Sequence, residues 1–207
     1  MHSQAQSMIR QPYSTSALDP SAQDENDFAA LRQGDVAAYE AVFRRYYTAL
    51  CSSAVRLTAS WDDAEEVVQT VFSTLWQRHD QLRITTTVRA YLYAAVRNQA
   101  LNTLKHRRVE ELAADKILAA HGSAPLAPDL VLERDEITAR IRAAVNDLPP
   151  RAREVLTLRW EHHMSYEEIG AVLGVRPNSA KMQQSRALAM LRERLSDLLP
   201  PAGEDDR

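Results

Sequence analysis

Residues Ser165 to Arg194, SYEEIGAVLGVRPNSAKMQQSRALAMLRER, constrain the fold of this chain more than any other stretch. They spell a short capped helix, a glycine turn and a longer helix that is polar on one side and apolar on the other. Ser165 and Glu168 have the spacing of a capping box, in which the serine side chain accepts from the N–H three residues on and the glutamate reaches back to the serine N–H. Ile169, Val172 and Leu173 give the first helix an apolar face, and Gly174 supplies the left-handed residue that ends a helix without steric penalty. Pro177 suits the first position of the next helix, where a missing N–H costs nothing. At about 100° per residue, Ala180, Gln184, Ala187 and Leu191 share one side of that helix and Asn178, Lys181, Met182 and Ser185 the other. The first set packs; the second can read bases, since helix-turn-helix units commonly place their second helix in the DNA major groove. The same pattern also suits two packed helices that touch no DNA, and the rest of the chain has to decide.

With 207 residues, 45% of them hydrophobic, and only five Gly and nine Pro, the chain is expected to be all-α, with room for one large or two small domains. It has no apolar run long enough to span a bilayer, and its N-terminus lacks the basic opening and apolar stretch of a signal peptide. A cytoplasmic protein without membrane insertion is the expectation. The single cysteine, Cys51, allows no internal disulfide and sits among apolar helix positions, which suits a buried inert thiol better than a nucleophile. Phosphate-binding, dinucleotide-binding and hydrolase glycine motifs are missing, and His162-His163 lacks spaced partners for zinc. No catalytic residue, cofactor or metal is expected, and the chain does not read as an enzyme.

A net charge of −3 argues against a general polyanion binder, so nucleic-acid contact would need local concentration of charge. Such a concentration runs from Arg83 to Arg108, where Arg83, Arg89, Arg97, Lys105, Arg107 and Arg108 occur with no Asp or Glu between them. This is either a solvated helix face or, with Tyr91 and Tyr93 inside it, a single-strand surface offering cations to phosphates and rings to bases.

Along the chain, residues 1–26 are polar and too poor in apolar residues to offset their ordering entropy, which predicts a disordered extension. Residues 27–108 hold four helical stretches. The first is short, Phe28 to Arg32. A longer one capped by Asp35 spaces Val36, Tyr39, Phe43, Tyr46, Tyr47, Leu50, Ala54 and Leu57. The third places Ala64, Val67, Val68, Val71, Phe72, Leu75 and Trp76 on one face, and the fourth runs from Val88 to about Arg108. On the third helix the opposite side carries Asp62, Asp63, Glu66, Gln69, Thr70 and Ser73, with the acids in the first turn where the helix dipole favours them. Residues 109–132 shift in composition to a Pro/Gly-punctuated flexible linker, though Glu110 to Ala120 could be loosely helical. Residues 133–199 form a second small helical domain with Ile137, Ile141 and Val145 on its first helix and the helix-turn-helix at its end, and residues 200–207 form an acidic tail.

Taken together, DDAEEVVQTVFSTLWQ, VRAYLYAAVRNQALNTLKHRR and LPPRAREVLTLRWEHHMSYEEIG with the helix after it resemble the second and fourth conserved regions of the extracytoplasmic-function sigma factors of bacterial RNA polymerase. The stretch Leu82 to Leu92 and the ending Ser185-Arg186-Ala187-Leu188 look closest to the iron-citrate-regulator-like and Bacteroidetes-type branches. The resemblance implies an alternative sigma factor that binds core RNA polymerase and directs initiation at promoter DNA. By the family pattern, Asp62, Asp63, Glu66, Gln69 and Thr70 would dock on the clamp helices of the polymerase. Arg83, Thr86, Arg89, Tyr93, Arg97, Asn98, Asn102 and Lys105 would capture the non-template strand of the minus-ten element. Arg176, Asn178, Ser179, Lys181, Met182, Ser185 and Arg186 would read the minus-thirty-five duplex. An anti-sigma partner is expected on the same ground. The chain departs from the pattern at Arg176-Pro177, where a Ser or Thr cap is usual, and at Asn102, where an Asp is usual; both bear on promoter sequence. The rival readings are a stand-alone dimeric helix-turn-helix regulator, which leaves the basic segment unexplained, and a helical sigma-sequestering adaptor, which needs no such segment.

Overall fold

The computed structural model describes residues 20–115 and 136–196, all helical apart from short connections. The N-terminal domain comprises α1 (Pro20–Leu31), α2 (Val36–Thr58), α3 (Trp61–Gln77) and α4 (Val88–Asp115), and the C-terminal domain α5 (Glu136–Asn146), α6 (Pro150–Trp160), α7 (Tyr166–Leu173) and α8 (Pro177–Arg194). The disorder expected over residues 1–19, the Pro/Gly-rich connector expected within 116–135 and the acidic tail lie outside the described residues.

Local chemistry sets most boundaries. The Asp35 carboxylate accepts from the N–H groups of Ala37 and Ala38 at 2.8 and 3.2 Å and so starts α2. Ala59, at φ 58°, ends it, and Ser60 caps α3 one residue later through the Asp63 N–H. So short a link makes α2 and α3 antiparallel neighbours. Their faces meet in an aromatic cluster in which Phe43 lies edge-on to Phe72 at 4.9 Å and Tyr39 tilts against Trp76 at 5.1 Å. The α3 face predicted from spacing is buried from Ala64 through Leu75, with Trp76 half-buried at its end.

Several expectations are corrected. Composition predicts an unstructured extension through Asn26 and a first helix from Phe28, but α1 starts at Pro20. Arg45 of α2 bridges Asp24 (2.5 Å) and Asp27 (2.6 Å), and the Tyr46 hydroxyl donates to Asp24. Partners 18 to 22 residues away thus order a segment whose own composition is polar. The helix assigned to end near Arg108 continues to Asp115, beyond the linker boundary placed at 109. Val36 and Ile141, expected in apolar faces, are exposed. The buried stripe of α2 is instead Ala38, Val42, Tyr46, Leu50, Ala54 and Thr58, because α2 is packed by α1, α3 and α4 together. Near α5 the buried positions are Ala144 and Leu148, which join Ala187 and Leu191 of α8 in a small core. Cys51 is fully buried, and burial pushes its thiol pKa up, as suits an inert group.

The two domains are packed together rather than separated. Val155, Leu158, Met164, Ile169, Val172, Leu173 and Ala180 of the C-terminal domain belong to the same continuous core as α1 to α4, with α4 against α7 as the main seam.

Candidate nucleic-acid interface

The helix-turn-helix forms as its residues dictate. Ser165 Oγ accepts from the Glu168 N–H at 3.1 Å and Glu168 Oε2 accepts from the Ser165 N–H at 2.9 Å, completing the capping box. Gly174 adopts φ 66° and closes α7. The chain then folds back so that the Val175 N–H donates to the Gly170 carbonyl at 3.0 Å, and Pro177 opens α8. Ala180, Gln184, Ala187 and Leu191 are buried, the four positions spacing predicts. Tyr166 locks the pair by donating from its hydroxyl to Gln184 Oε1 at 2.6 Å.

On the outer side Arg176, Asn178, Lys181, Met182, Ser185 and Arg186 are exposed and Ser179 is half-buried, so all seven residues of the third candidate set share one surface. Met182 is 55% exposed and offers an apolar contact on that side. Arg176, Lys181 and Arg186 make no ion pair among the described residues, which leaves three cations beside hydrogen-bonding groups and one apolar contact.

The residues of the second set divide. Arg83, Thr86, Asn98, Asn102 and Lys105 are exposed. Arg89, Tyr93 and Arg97, read from sequence as part of the same open surface, are instead covered by the C-terminal domain. Arg89 donates from Nε and Nη2 to the Glu168 carboxylate at 3.1 and 2.6 Å. Arg97 Nε donates to Glu154 Oε1 at 3.0 Å. Tyr93 is buried, its hydroxyl shares a 2.9 Å hydrogen bond with His162 Nδ1, and burial pushes its pKa up to about 12. Arg56 of α2 adds an ion pair to Glu161 at 2.5 Å.

Glu168 is the hinge of this arrangement. Besides capping α7 it accepts from Thr87 Oγ1 at 2.8 Å, and Thr87 Oγ1 itself accepts from the Ala90 N–H at the start of α4. One carboxylate therefore serves two helix N-termini, where negative charge is favoured. Burial raises its pKa, but hydrogen bonds from Arg89, the Ser165 N–H and Thr87, with the charge of Arg89, hold it below the ordinary value. Burial disfavours the Arg89 charge, and Glu168 more than compensates.

A cavity of about 380 Å³ lies between α3, the 78–83 loop and α4, lined among others by Thr70, Arg78, Gln81, Arg83, Tyr91 and Gln99. It combines two cations, an aromatic ring and amide groups, the set that can hold an unstacked base.

In the first set Asp62, Glu66, Gln69 and Thr70 line the outer side of α3, exposed. Asp63 is turned away: both its oxygens accept from Arg107 near the far end of the basic run, and that hydrogen bond draws its pKa down against a smaller effect of burial. Sequence reasoning missed Glu154, Glu161 and His162 as contacts of the basic segment, because nothing local to them signals partners in another domain. Among the described residues no helix is long and apolar enough to cross a membrane, and no cluster of His, Cys, Asp and Glu could hold a metal ion.

Comparison with known proteins places both halves of the chain. Residues 42–109 match the family model for Sigma-70 region 2, and residues 138–191 that for Sigma-70, region 4. The RNA polymerase sigma-E factor of Streptomyces coelicolor is 30% identical over 163 residues, covering 78% of this chain and 88% of that protein. A solved structure of CnrH in complex with the cytosolic domain of CnrY is similar at TM-score 0.60 and 23% identity, covering 84% of this chain and 98% of that one. The sigma factor RpoE of Bartonella quintana, solved with the anti-sigma factor NepR, gives TM-score 0.57 and 24% identity over 78% of this chain and 98% of its own. These two likenesses establish the fold, and the matches span both domains, which a stand-alone helix-turn-helix regulator leaves unaccounted for. The chain belongs to the extracytoplasmic-function family of RNA polymerase sigma factors and is an alternative sigma factor that directs promoter recognition.

Proposed function

We propose a division of labour among three surfaces. The outer side of α8 enters the major groove of the minus-thirty-five duplex, with Asn178, Ser179, Lys181, Met182 and Ser185 toward base edges and Arg176 and Arg186 toward phosphates. The 78–87 loop and α4 take the non-template strand of the minus-ten element, its phosphates on Arg83, Arg89, Arg97 and Lys105, its bases on Tyr93, Thr86, Asn98 and Asn102 and in the cavity beside Tyr91. Binding energy released by unstacked bases would open the duplex. The exposed Asp62, Glu66, Gln69 and Thr70 of α3 dock on core polymerase, with Asp63 bracing them through Arg107. The protein works in the cytoplasm, without a catalytic residue or cofactor of its own, and an anti-sigma factor holds it back. The observation that carries this reading is the outer side of α8, where exposed cations that make no ion pair among the described residues sit beside Asn178, Ser185 and the 55% exposed Met182.

Run-off transcription with purified core polymerase tests it. Lys181→Ala should weaken initiation and leave polymerase association unchanged, whereas Glu66→Lys should weaken association. Asp63→Lys would break the pair with Arg107 as well, so a loss of association there would not report on docking alone. Equal loss of association in Lys181→Ala and Glu66→Lys would contradict the division.

A further inference from the structure

The geometry points to a thymine methyl group as the feature that Met182 reads, so that the upstream promoter element of this factor carries a thymine at the centre of the α8 footprint. This rests on the reading of α8 as the duplex-reading helix. An exposed methionine is ordinary in itself, and its place on the helix is what counts. At about 100° per residue, the buried positions Ala180, Gln184, Ala187 and Leu191 centre on one direction, and Met182 falls within about 10° of its opposite. It stands about 7.5 Å from Pro177 along the axis, within the early turns that a recognition helix sets against base edges. Asn178 and Ser185 lie about one turn before and after it on the same exposed stripe, and Lys181 flanks it. Ala189 faces the same way but lies about two turns farther on and offers only a methyl group. Among the described residues Met182 joins neither apolar core.

A thioether chain has no strong donor or acceptor to offer a base edge. Guanine, adenine and cytosine present only hydrogen-bonding groups in the major groove, and a methionine pressed on them would strip their water without replacing the lost bonds. Thymine alone of the four bases adds an apolar group there, its C5-methyl. Contact with that methyl removes apolar surface from water on both partners, and the flexible thioether adapts to its position. Hydrogen-bond readout then falls to Asn178, Lys181 and Ser185 around it. Because 5-methylcytosine carries its methyl on the same ring carbon, the contact extends to that base and makes the element sensitive to cytosine methylation.

The test uses the full chain bound to core polymerase and a duplex promoter selected from a randomised library, with each thymine of the upstream element, on either strand, replaced in turn by deoxyuridine. Deoxyuridine keeps every hydrogen-bonding group and lacks only the methyl. Competition binding should show one position at which the parent loses about fourfold, the factor equivalent to about 0.8 kcal/mol for one buried apolar carbon. Met182→Ala places the best helix former at an exposed site, so it keeps the fold, and it should not distinguish thymine from deoxyuridine at that position. With cytosine there instead, C5 methylation should raise the affinity of the parent by a similar factor and leave Met182→Ala unchanged. An upstream element without thymine on either strand, neutral deoxyuridine at every position, or an equal loss in the parent and Met182→Ala overturns the methyl contact. Lys181→Ala separates this from the wider reading. If Lys181→Ala alters the upstream preference while deoxyuridine is silent, α8 reads the duplex without a methyl contact; if neither has an effect, both fall.

Discussion

Substitution of Gly170 by alanine probes the helix-turn-helix where its parts approach most closely. A Cβ at Gly170 would lie 2.7 Å from the Val175 carbonyl oxygen and 3.4 and 3.5 Å from N and Cδ of Pro177. The first is a backbone atom of the turn, held by the hydrogen bond from the Val175 N–H to the Gly170 carbonyl, so it cannot swing aside as a side chain would. Alanine gains about 1 kcal/mol in helix propensity. Forcing a methyl group into a filled space costs about 1–3 kcal/mol, and an unyielding backbone neighbour puts this site at the upper end, for a net loss of about 2 kcal/mol. The displaced groups also launch α8, so the reading surface shifts with them. Gly174→Ala is the comparison, since its Cβ meets nothing within 4 Å but its φ of 66° is left-handed. It should cost about 1 kcal/mol through strain alone and leave α8 in place. Urea unfolding followed by circular dichroism gives the stabilities, and binding to a duplex promoter fragment at a temperature where both variants are folded gives the function. Gly170→Ala should lose duplex affinity and Gly174→Ala should keep it. A Gly170→Ala protein as stable as the parent, or more stable, would refute the close approach.

Two further outcomes follow from the charged groups. Burial lowers the His162 pKa below its ordinary 6.5, with Arg56, Arg89 and His163 repelling its proton and Glu161 attracting it. The packing of the C-terminal domain on Tyr93 through His162 thus prefers neutral imidazole; its stabilising effect is complete above pH 6.5 and declines as pH falls through that value toward the depressed one. The urea midpoint should fall on acidification from pH 7.5 to about 5.5, and His162→Phe should flatten the response; a parent protein whose stability is unchanged over that range would contradict it. Asp63→Asn should remove the Arg107 pair at a cost of about 0.5–1 kcal/mol, as the arginine is 43% exposed. It should leave polymerase association nearly intact, measured by denaturation and by pull-down with core enzyme; loss of association as large as that from Glu66→Lys would place Asp63 in the polymerase contact.

Much of the helix-turn-helix was legible because its determinants are local. The Ser165–Glu168 box, Gly174, Pro177 and the split of α8 into a buried and an exposed side all lie within thirty residues and obey helical spacing. The apolar face of α3 was legible for the same reason. Arg89 and Arg97 read as open cations because the run around them holds no acid, yet their partners lie 79 and 57 residues away. Glu168 looked like a cap and is one, but its carboxylate also reaches Arg89 and Thr87. Periodicity cannot show that a group serves two elements. The start of α1 at Pro20 is illegible in the sequence for the same reason, its order depending on Arg45 and Tyr46 of the next helix. Ile141 fits the spacing of an apolar face yet stands exposed, since α5 meets α8 through Ala144 and the following Leu148.

The most direct measurement is initiation itself: purified chain and core RNA polymerase on a randomised promoter library, with start sites read by sequencing the transcripts. The account predicts transcripts from a defined subset sharing two upstream elements, with the upstream preference altered by changes at Asn178 or Lys181 and the downstream one by changes at Arg83 or Asn102. Transcript patterns identical with and without the chain, or a subset whose two elements both respond only to α8, would contradict it.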